Sequence, residues 1–301
     1  MDGELLYLNG EYRDLSEGWV HVEDRGFQLG DGVYEVVKVM NGRLVWLDDH
    51  LVRLARSLAA TRMGDALVEH DLAQVLPTLV ERARLLDGSV YVQVTRGAAP
   101  RDFPFPAELH ATVLAYVRAR EFPRPDLILG GIRLHPVEDL RWGRCDIKST
   151  NLLAAVMAKQ EAREAGAWEA LFMAPDGVVR EGGSSNVFAV LEGVLRTHPL
   201  DRHILGGITR MHVLDIARAL GIPCEERAFT LDEVDGAADD CEFFVASTTT
   251  DILPVAEVGG VAIRGGKPGP VTLRLLDEMR AMMAEMVGRE RPPALLGPAR
   301  H

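Results

Sequence analysis

Lys148 stands in Asp146-Ile147-Lys148-Ser149-Thr150-Asn151, after Trp142 and Cys145 and directly before the apolar run Leu152-Leu153-Ala154-Ala155-Val156. A lysine drawn out of water has a lowered pKa, and its amine can attack a carbonyl to form a Schiff base; a solvated surface lysine, the ordinary case, does neither. Glu181 is the second notable charge. It opens Glu181-Gly182-Gly183-Ser184-Ser185-Asn186, read as a loop between strands, where a buried carboxylate needs a cationic partner. The third segment, Ile204-Leu205-Gly206-Gly207-Ile208-Thr209, runs into a helical pattern. Bare backbone amides at a helix N-terminus attract anions, and Thr209 can add a hydroxyl; the same residues also make an ordinary tight turn into a helix. Ser247-Thr248-Thr249-Thr250 follows an apolar strand, and its hydroxyls can either hold a phosphate or carboxylate or cap their own backbone. Neither a Gly-Lys-Ser/Thr phosphate loop nor the G-x-G-x-x-G dinucleotide fingerprint occurs, which argues against a Rossmann oxidoreductase.

The chain that must position these groups has 301 residues, enough for two domains and a sizeable core. Its 45 acidic residues outnumber 33 basic ones, for a net charge of −12, and no Lys/Arg run occurs. Partnership with nucleic acid or an anionic membrane surface is therefore not expected. Cys145, Cys224 and Cys241 are odd in number and widely spaced, a pattern of the reducing cytosol that offers no cysteine-rich zinc site, and no metal is expected. No apolar stretch is long enough for a membrane span and the first residues lack a signal-peptide pattern, so a soluble cytoplasmic protein is expected.

Strands open the chain. Leu5–Leu8 precedes Asn9-Gly10, and Tyr34–Met40 precedes Asn41-Gly42 and a strand at Arg43–Leu47; Asn-Gly between apolar runs is a strong hairpin signal. Asp48 is the expected cap of a helix carrying Leu51, Leu54, Ala55 and Leu58 on one face. A helix over Asp71–Leu86, kinked at Pro77, and strands at Ser89–Arg96 and Ala111–Arg118 complete a smaller N-terminal domain, residues 1–118. Residues 119–125, with two prolines, read as a semi-rigid linker. A larger domain over residues 126–288 carries Lys148, with strands at Gly131–Val137, Glu169–Met173, Asn186–Leu191, Val194–Thr197 and Cys241–Ser247. Its helices are expected at Asn151–Ala165, Ile208–Leu220 and Pro270–Val287, and residues 289–301 read as a disordered tail. Tight turns between neighbouring strands point to an α+β or mixed α/β fold rather than a strict βαβ series.

Seven pieces in this order resemble the fold-type IV pyridoxal-phosphate aminotransferases, and among them the D-amino-acid aminotransferases. They are Glu23 to Glu35, His50-Leu51-Val52-Arg53-Leu54, Thr95-Arg96-Gly97 with Pro100-Arg101, Arg144 to Leu153, Glu181 to Asn186, Gly207 to Arg210, and Ser247-Thr248-Thr249. The resemblance runs from about Leu5 to Val287. It implies a two-domain fold with pyridoxal 5′-phosphate at the domain interface, held covalently by Lys148, which also moves the reacting proton. Arg53 is implied as the partner of the cofactor phosphate, Glu181 as the acid that keeps the pyridine nitrogen protonated, and Leu205 as packing on the ring. Ile208, Thr209 and Thr248, with Gly207 and Ser247, would cup the phosphate; Ser184, Ser185 and Asn186 would complete the cofactor site. Tyr34, Arg101 and Thr249 would face the substrate, with Arg101 supplied across a homodimer whose active sites are shared. One departure stands out: Phe103 occupies the place of a histidine that many of these enzymes put two residues after the arginine, and a phenyl ring donates no hydrogen bond.

The implied activity is transamination between D-amino acids of the D-alanine and D-glutamate class and 2-oxo acids, in two half-reactions through pyridoxamine phosphate. A branched-chain L-aminotransferase, an (R)-amine transaminase and, in another reaction class, an aminodeoxychorismate lyase are alternatives on the same fold. A non-catalytic binding protein is a further class, set against the joint presence of Lys148, Glu181 and Arg53.

Overall fold

The computed structural model describes residues 5–122, 125–236 and 240–295. It divides into two compact units, Met1–Phe122 with Ile147–Leu152, and Pro123–Asp146 with Leu153–His301. Among the described residues the first unit holds β1 (Leu5–Leu8), β2 (Glu11–Asp14), α1 (Arg25–Leu29), β3 (Gly32–Met40), β4 (Arg43–Leu44), α2 (Leu47–Ala60), α3 (Leu72–Arg82), β5 (Gly88–Thr95) and β6 (Thr112–Ala119).

The strands form one antiparallel sheet in the order β2-β1-β6-β5-β3-β4. Both Asn-Gly turns close hairpins with positive φ at each residue, 47° and 97° at Asn9-Gly10 and 51° and 72° at Asn41-Gly42, as a two-residue turn that matches strand twist requires. Alternate residues of β3, β5 and β6, among them Val33, Val39, Val90, Val92, Val94, Val113, Ala115 and Val117, turn inward with Leu54 and Leu58 of α2 and Leu72, Leu76, Leu79 and Val80 of α3. Three local expectations fail. The strand expected over Arg43–Leu47 ends at Leu44, because Trp46 takes a left-handed φ and Leu47 already begins α2. Asp48 lies inside the first turn of α2, because Trp46, at φ 54°, is the capping position and no side chain caps it. Helix α3 is shorter than expected, starts on the Asp71 cap and runs on through Pro77.

The second unit holds α4 (Pro125–Gly130), β7 (Ile132–Glu138), α5 (Leu153–Glu164), β8 (Glu169–Met173), β9 (Val179–Gly182), β10 (Asn186–Leu191), β11 (Val194–Thr197), α6 (Ile208–Ala219), β12 (Cys224–Glu225), α7 (Leu231–Asp235), β13 (Glu242–Ser247), β14 (Asp251–Val258), β15 (Val261–Ala262) and α8 (Pro270–Met286). Its sheet runs β12-β11-β10-β13-β14-β7-β8-β9, with β15 on β14. Parallel pairs β14–β7, β7–β8 and β11–β12 sit among antiparallel ones, so the fold is mixed, as the sequence suggests. Strand β10 is buried along its whole length, and Phe188 stacks on Phe244 of β13 with centroids 4.8 Å apart.

The Lys148 segment departs from the expected division. It joins the first unit, not the C-terminal one: Ser149 bridges to Val33, the Tyr34 N–H donates to the Lys148 carbonyl at 2.9 Å, and the Thr150 N–H to the Gly32 carbonyl at 3.0 Å. The expected extended linker over 119–125 is short, since Ala119 ends β6 and Pro125 begins α4; Pro123 and Arg124 lie outside the described residues. The expected disorder from Arg289 meets a tethered segment: the Leu295 N–H donates to Asp277 of α8 at 2.9 and 3.0 Å, and Arg291 pairs with Glu278 at 3.0 Å. Residues 296–301 lie outside the described residues.

Candidate active site

In the first unit Lys148 is half-buried, and its ammonium nitrogen lies 4.4 Å from the centre of the Tyr34 ring. An electron-rich ring face attracts a cation there without pairing it to a carboxylate. Tyr34 stacks on Tyr91, and Tyr91 on Tyr116, at 5.6 and 5.1 Å across three neighbouring strands. Lys148 and Tyr34 are thus brought together.

Arg53 is buried on α2 and makes a two-point pair with Glu35 of β3, Nε to Oε1 at 2.7 Å and Nη2 to Oε2 at 2.8 Å. His50, one turn earlier, reaches Glu35 Oε2 through Nδ1 at 2.8 Å. Burial by itself would raise the Glu35 pKa, but the Arg53 charge and the bonds from Arg53 and His50 outweigh it and hold it at about 2. An ionised Glu35 fixes the His50 proton on Nδ1; Nε2 is buried and finds no partner among the described residues. Glu35 and His50 are functional candidates that the sequence reading missed. The signal was present: a lone carboxylate at a core-facing register position among Val33, Val37 and Val39 has to be paired.

Arg101 lies exposed on the segment between β5 and β6, its guanidinium carbon 5.9 Å from the Phe103 ring. Phe103 is itself 79% exposed. Its carbonyl accepts from Arg25 Nη2 at 3.3 Å, and that of Asp102 from Arg25 Nη1 at 2.6 Å.

In the second unit Glu181 is a buried residue of β9, not of a loop. Arg141 Nη1 donates to its Oε1 at 2.5 Å; Asn186 Nδ2 and the Leu205 N–H donate to Oε2 at 3.1 and 3.0 Å. A carboxylate has about four acceptor positions, so these bonds leave room for one more donor. Burial pushes the Glu181 carboxyl above the usual range, and the Arg141 charge and hydrogen bond oppose that push. The Arg141 guanidinium is anchored at two points on Asp139, both at 2.8 Å, and Arg180 also donates to Asp139 at 2.8 Å. Asn186 also bonds the Leu205 carbonyl at 2.8 Å. Gly207 is required beside it, because a Cβ there would collide with Asn186 Oδ1. Glu181, Asn186 and Leu205 are therefore one assembly, to which Arg141 and Asp139 must be added; no sequence signal marked those two.

Helix α6 begins at Ile208 on Gly207, with no side chain capping its amides. The Thr209 hydroxyl is buried, in a residue 2% exposed, and has no partner among the described residues. Uncapped amides with an orphaned hydroxyl fit a phosphate. The Ser247–Thr250 turn is half-buried, with Ser247 and Thr250 hydroxyls 2.7 Å apart and Thr249 at 3.5 Å from Ser247; Thr248 lies in the same turn. Ser184 and Ser185 are less available than expected, since their hydroxyls donate to buried Glu169 at 2.9 and 3.4 Å.

A half-buried amine, a buried carboxylate with an acceptor position to spare and an uncapped helix start are the groups that an aldehyde-bearing aromatic phosphate requires. The amino-transferase class IV family model matches residues 32–258, and the chain belongs to that family. It is a transaminase, and its cofactor is pyridoxal 5′-phosphate. Over 267 residues, 89% of this chain and 93% of the relative, it is 44% identical to the D-alanine aminotransferase of Bacillus licheniformis. The Escherichia coli branched-chain amino acid aminotransferase superposes with a TM-score of 0.84 at 24% identity, covering 96% of each chain. The branched-chain aminotransferase of the thermophilic archaeon Thermoproteus uzoniensis, solved with norvaline, gives 0.77 at 30% identity, again over 96% of each.

Proposed function

We propose that the chain moves amino groups from D-amino acids, of the D-alanine and D-glutamate class, to 2-oxo acids. The observation that carries this reading is the half-buried Lys148 amine at the Tyr34 ring, in a chain 44% identical to a D-alanine aminotransferase. Pyridoxal phosphate, when bound, supplies an electron sink for the pair left when the donor Cα loses its proton.

The chain's own residues do the rest. Lys148 is the covalent anchor and, once displaced by the donor amine, the base that takes the Cα proton through Nζ. Glu181 keeps a proton at the ring nitrogen, and Arg141 and Asn186 hold its oxygens in place for that. Arg53, the Ile208 and Thr209 amides and hydroxyl, and the turn of Ser247 and Thr248 hold the phosphate, with Leu205 against the ring. Ser184 and Ser185 brace that assembly through Glu169. Tyr34, Thr249 and Arg101 receive the donor carboxylate, a fork-shaped guanidinium being able to bind it at two points.

A homodimer that shares its active sites belongs to the same proposal. Its support is the exposure of Phe103 and Phe105 beside Arg101, and of Val22 and Phe27 on the segment whose Glu23 and Arg25 bond the start of that loop, apolar side chains that a second copy would cover. A cytoplasmic setting is also part of it, supported by three cysteines held as thiols. None of the helices described is long and apolar enough to cross a membrane. Paired D- and L-amino acids, offered to the holoenzyme without acceptor, test the function through the spectrum of the bound cofactor. Conversion by D-alanine and D-glutamate and not by their L-forms is expected; the reverse order refutes the reading.

A further inference from the structure

The loop that carries Arg101 is built as a clamp. At its start the Arg25 N–H donates to the Gly97 carbonyl at 2.9 Å and the Ala99 N–H to the Glu23 carbonyl at 3.2 Å. At its far end two buried guanidiniums take over. Arg25 forks onto the successive carbonyls of Asp102 and Phe103 at 2.6 and 3.3 Å, and Arg96 lies 3.6 Å from the centre of the Phe105 ring. Both arginines lean on one carboxylate: Asp31 Oδ2 accepts from Arg25 Nε at 2.9 Å and from Arg96 Nε at 2.8 Å, and Oδ1 from Arg96 Nη2 at 3.1 Å. Arg25 and Arg96 are 3% and 4% exposed, far too buried to meet substrate from solvent.

From this geometry we infer that Arg25, held by Asp31, is the positioning residue that aims Arg101 at the donor carboxylate. The inference rests on the proposed role of Arg101. The fork is the point: a planar guanidinium spans two adjacent carbonyls at fixed spacing, which a lysine ammonium cannot do. Fixing the Asp102 and Phe103 carbonyls, which flank the Phe103 Cα, holds the backbone directly after Arg101 and so sets the direction in which Arg101 leaves the loop. The anchoring runs through backbone, so the exposed Phe103 ring plays no part in it.

The test compares D-alanine with D-alaninol, which keeps the amine and methyl but lacks the carboxylate. With holoenzyme, the apparent Kd of D-alanine is read from the half-reaction and that of D-alaninol from competition. Arg25→Lys is expected to weaken D-alanine about tenfold, the effect of one lost hydrogen bond to a charged group, and to leave D-alaninol within about twofold. In an Arg101→Ala background the same change should have no further effect on either compound. Asp31→Asn, which loosens both guanidiniums without removing them, should shift the ratio in the same direction and serves if Arg25→Lys does not fold. Equal weakening of both compounds, or an effect that adds to that of Arg101→Ala, overturns the inference. An unchanged ratio in Arg101→Ala alone overturns the carboxylate role of Arg101, and the inference with it; a ratio that moves in Arg101→Ala but not in Arg25→Lys overturns the inference only.

Discussion

Replacing Glu35 with glutamine removes the counter-charge from Arg53 and turns one of the two acceptor oxygens shared by Arg53 and His50 into a donor, while keeping the side-chain volume. Glu35 and Arg53 are 1% and 5% exposed, so water does not replace the lost partner. The drop of the Glu35 pKa from an ordinary 4.5 to about 2, despite burial, corresponds to about 3 kcal/mol of preference for the ionised form in the fold. Breaking a buried pair by removing one partner costs roughly 3–5 kcal/mol, in the same range. The apo form of Glu35→Gln should thus lose about 3 kcal/mol in urea unfolding. Inorganic phosphate or the cofactor, by giving Arg53 another anion, should return part of it. Because the folded pKa is depressed, the pair contributes its full stability above about pH 4.5, and that contribution is lost as pH falls toward 2. A loss below about 1 kcal/mol, the range of exposed pairs, would refute the argument that Arg53 is held by a buried counter-charge.

Borohydride reduction of the holoenzyme followed by peptide mapping should put the label on Lys148; a label on another lysine removes its assignment as the covalent anchor. Glu181→Gln should lower kcat by orders of magnitude with a smaller change in KM, since the proton it is proposed to keep at the ring nitrogen matters most as charge develops; an unchanged single-turnover rate counts against that role. Gly207→Ala drives a Cβ into Asn186 Oδ1 and should weaken cofactor retention about tenfold or more by loosening the Glu181 assembly, read as cofactor release on dialysis; wild-type retention would show that Asn186 gives way freely. Phe103→His should tighten D-alanine about tenfold by adding a donor beside Arg101, and no gain in KM would place the ring elsewhere.

Much of the fold was legible because its signals are local. The Asn-Gly turns, the glycines that end helices and the apolar strands Glu169–Met173, Asn186–Leu191 and Val194–Thr197 read directly from neighbouring residues. Strand β9 was hidden by its short polar sequence, Val-Arg-Glu-Gly, and the central Pro254 disguised β14, where proline normally argues against a strand. The site split the same way. Lys148, Glu181 and the Gly-Gly-Ile-Thr turn stood out by residue type and context. Their supports did not: Glu35 meets Arg53 across 18 positions and Arg141 meets Glu181 across 40, and no local pattern encodes such pairings.

The route of the backbone through Ile147–Leu152 bears on how the protein is made. The contact between the Tyr34 N–H and the Lys148 carbonyl cannot form until residue 148 has been made, after β1 to β6, which all precede it in the chain. A chain shortened after Phe122 keeps every strand of the first sheet yet has no amine at Tyr34, so the unit is separable as architecture and not as chemistry. During synthesis the Lys148 nitrogen follows all six strands of the first sheet and precedes most of the second unit. Fragments that end before residue 148 therefore lack this lysine, and a gene split after Phe122 would divide the first sheet from the proposed anchor.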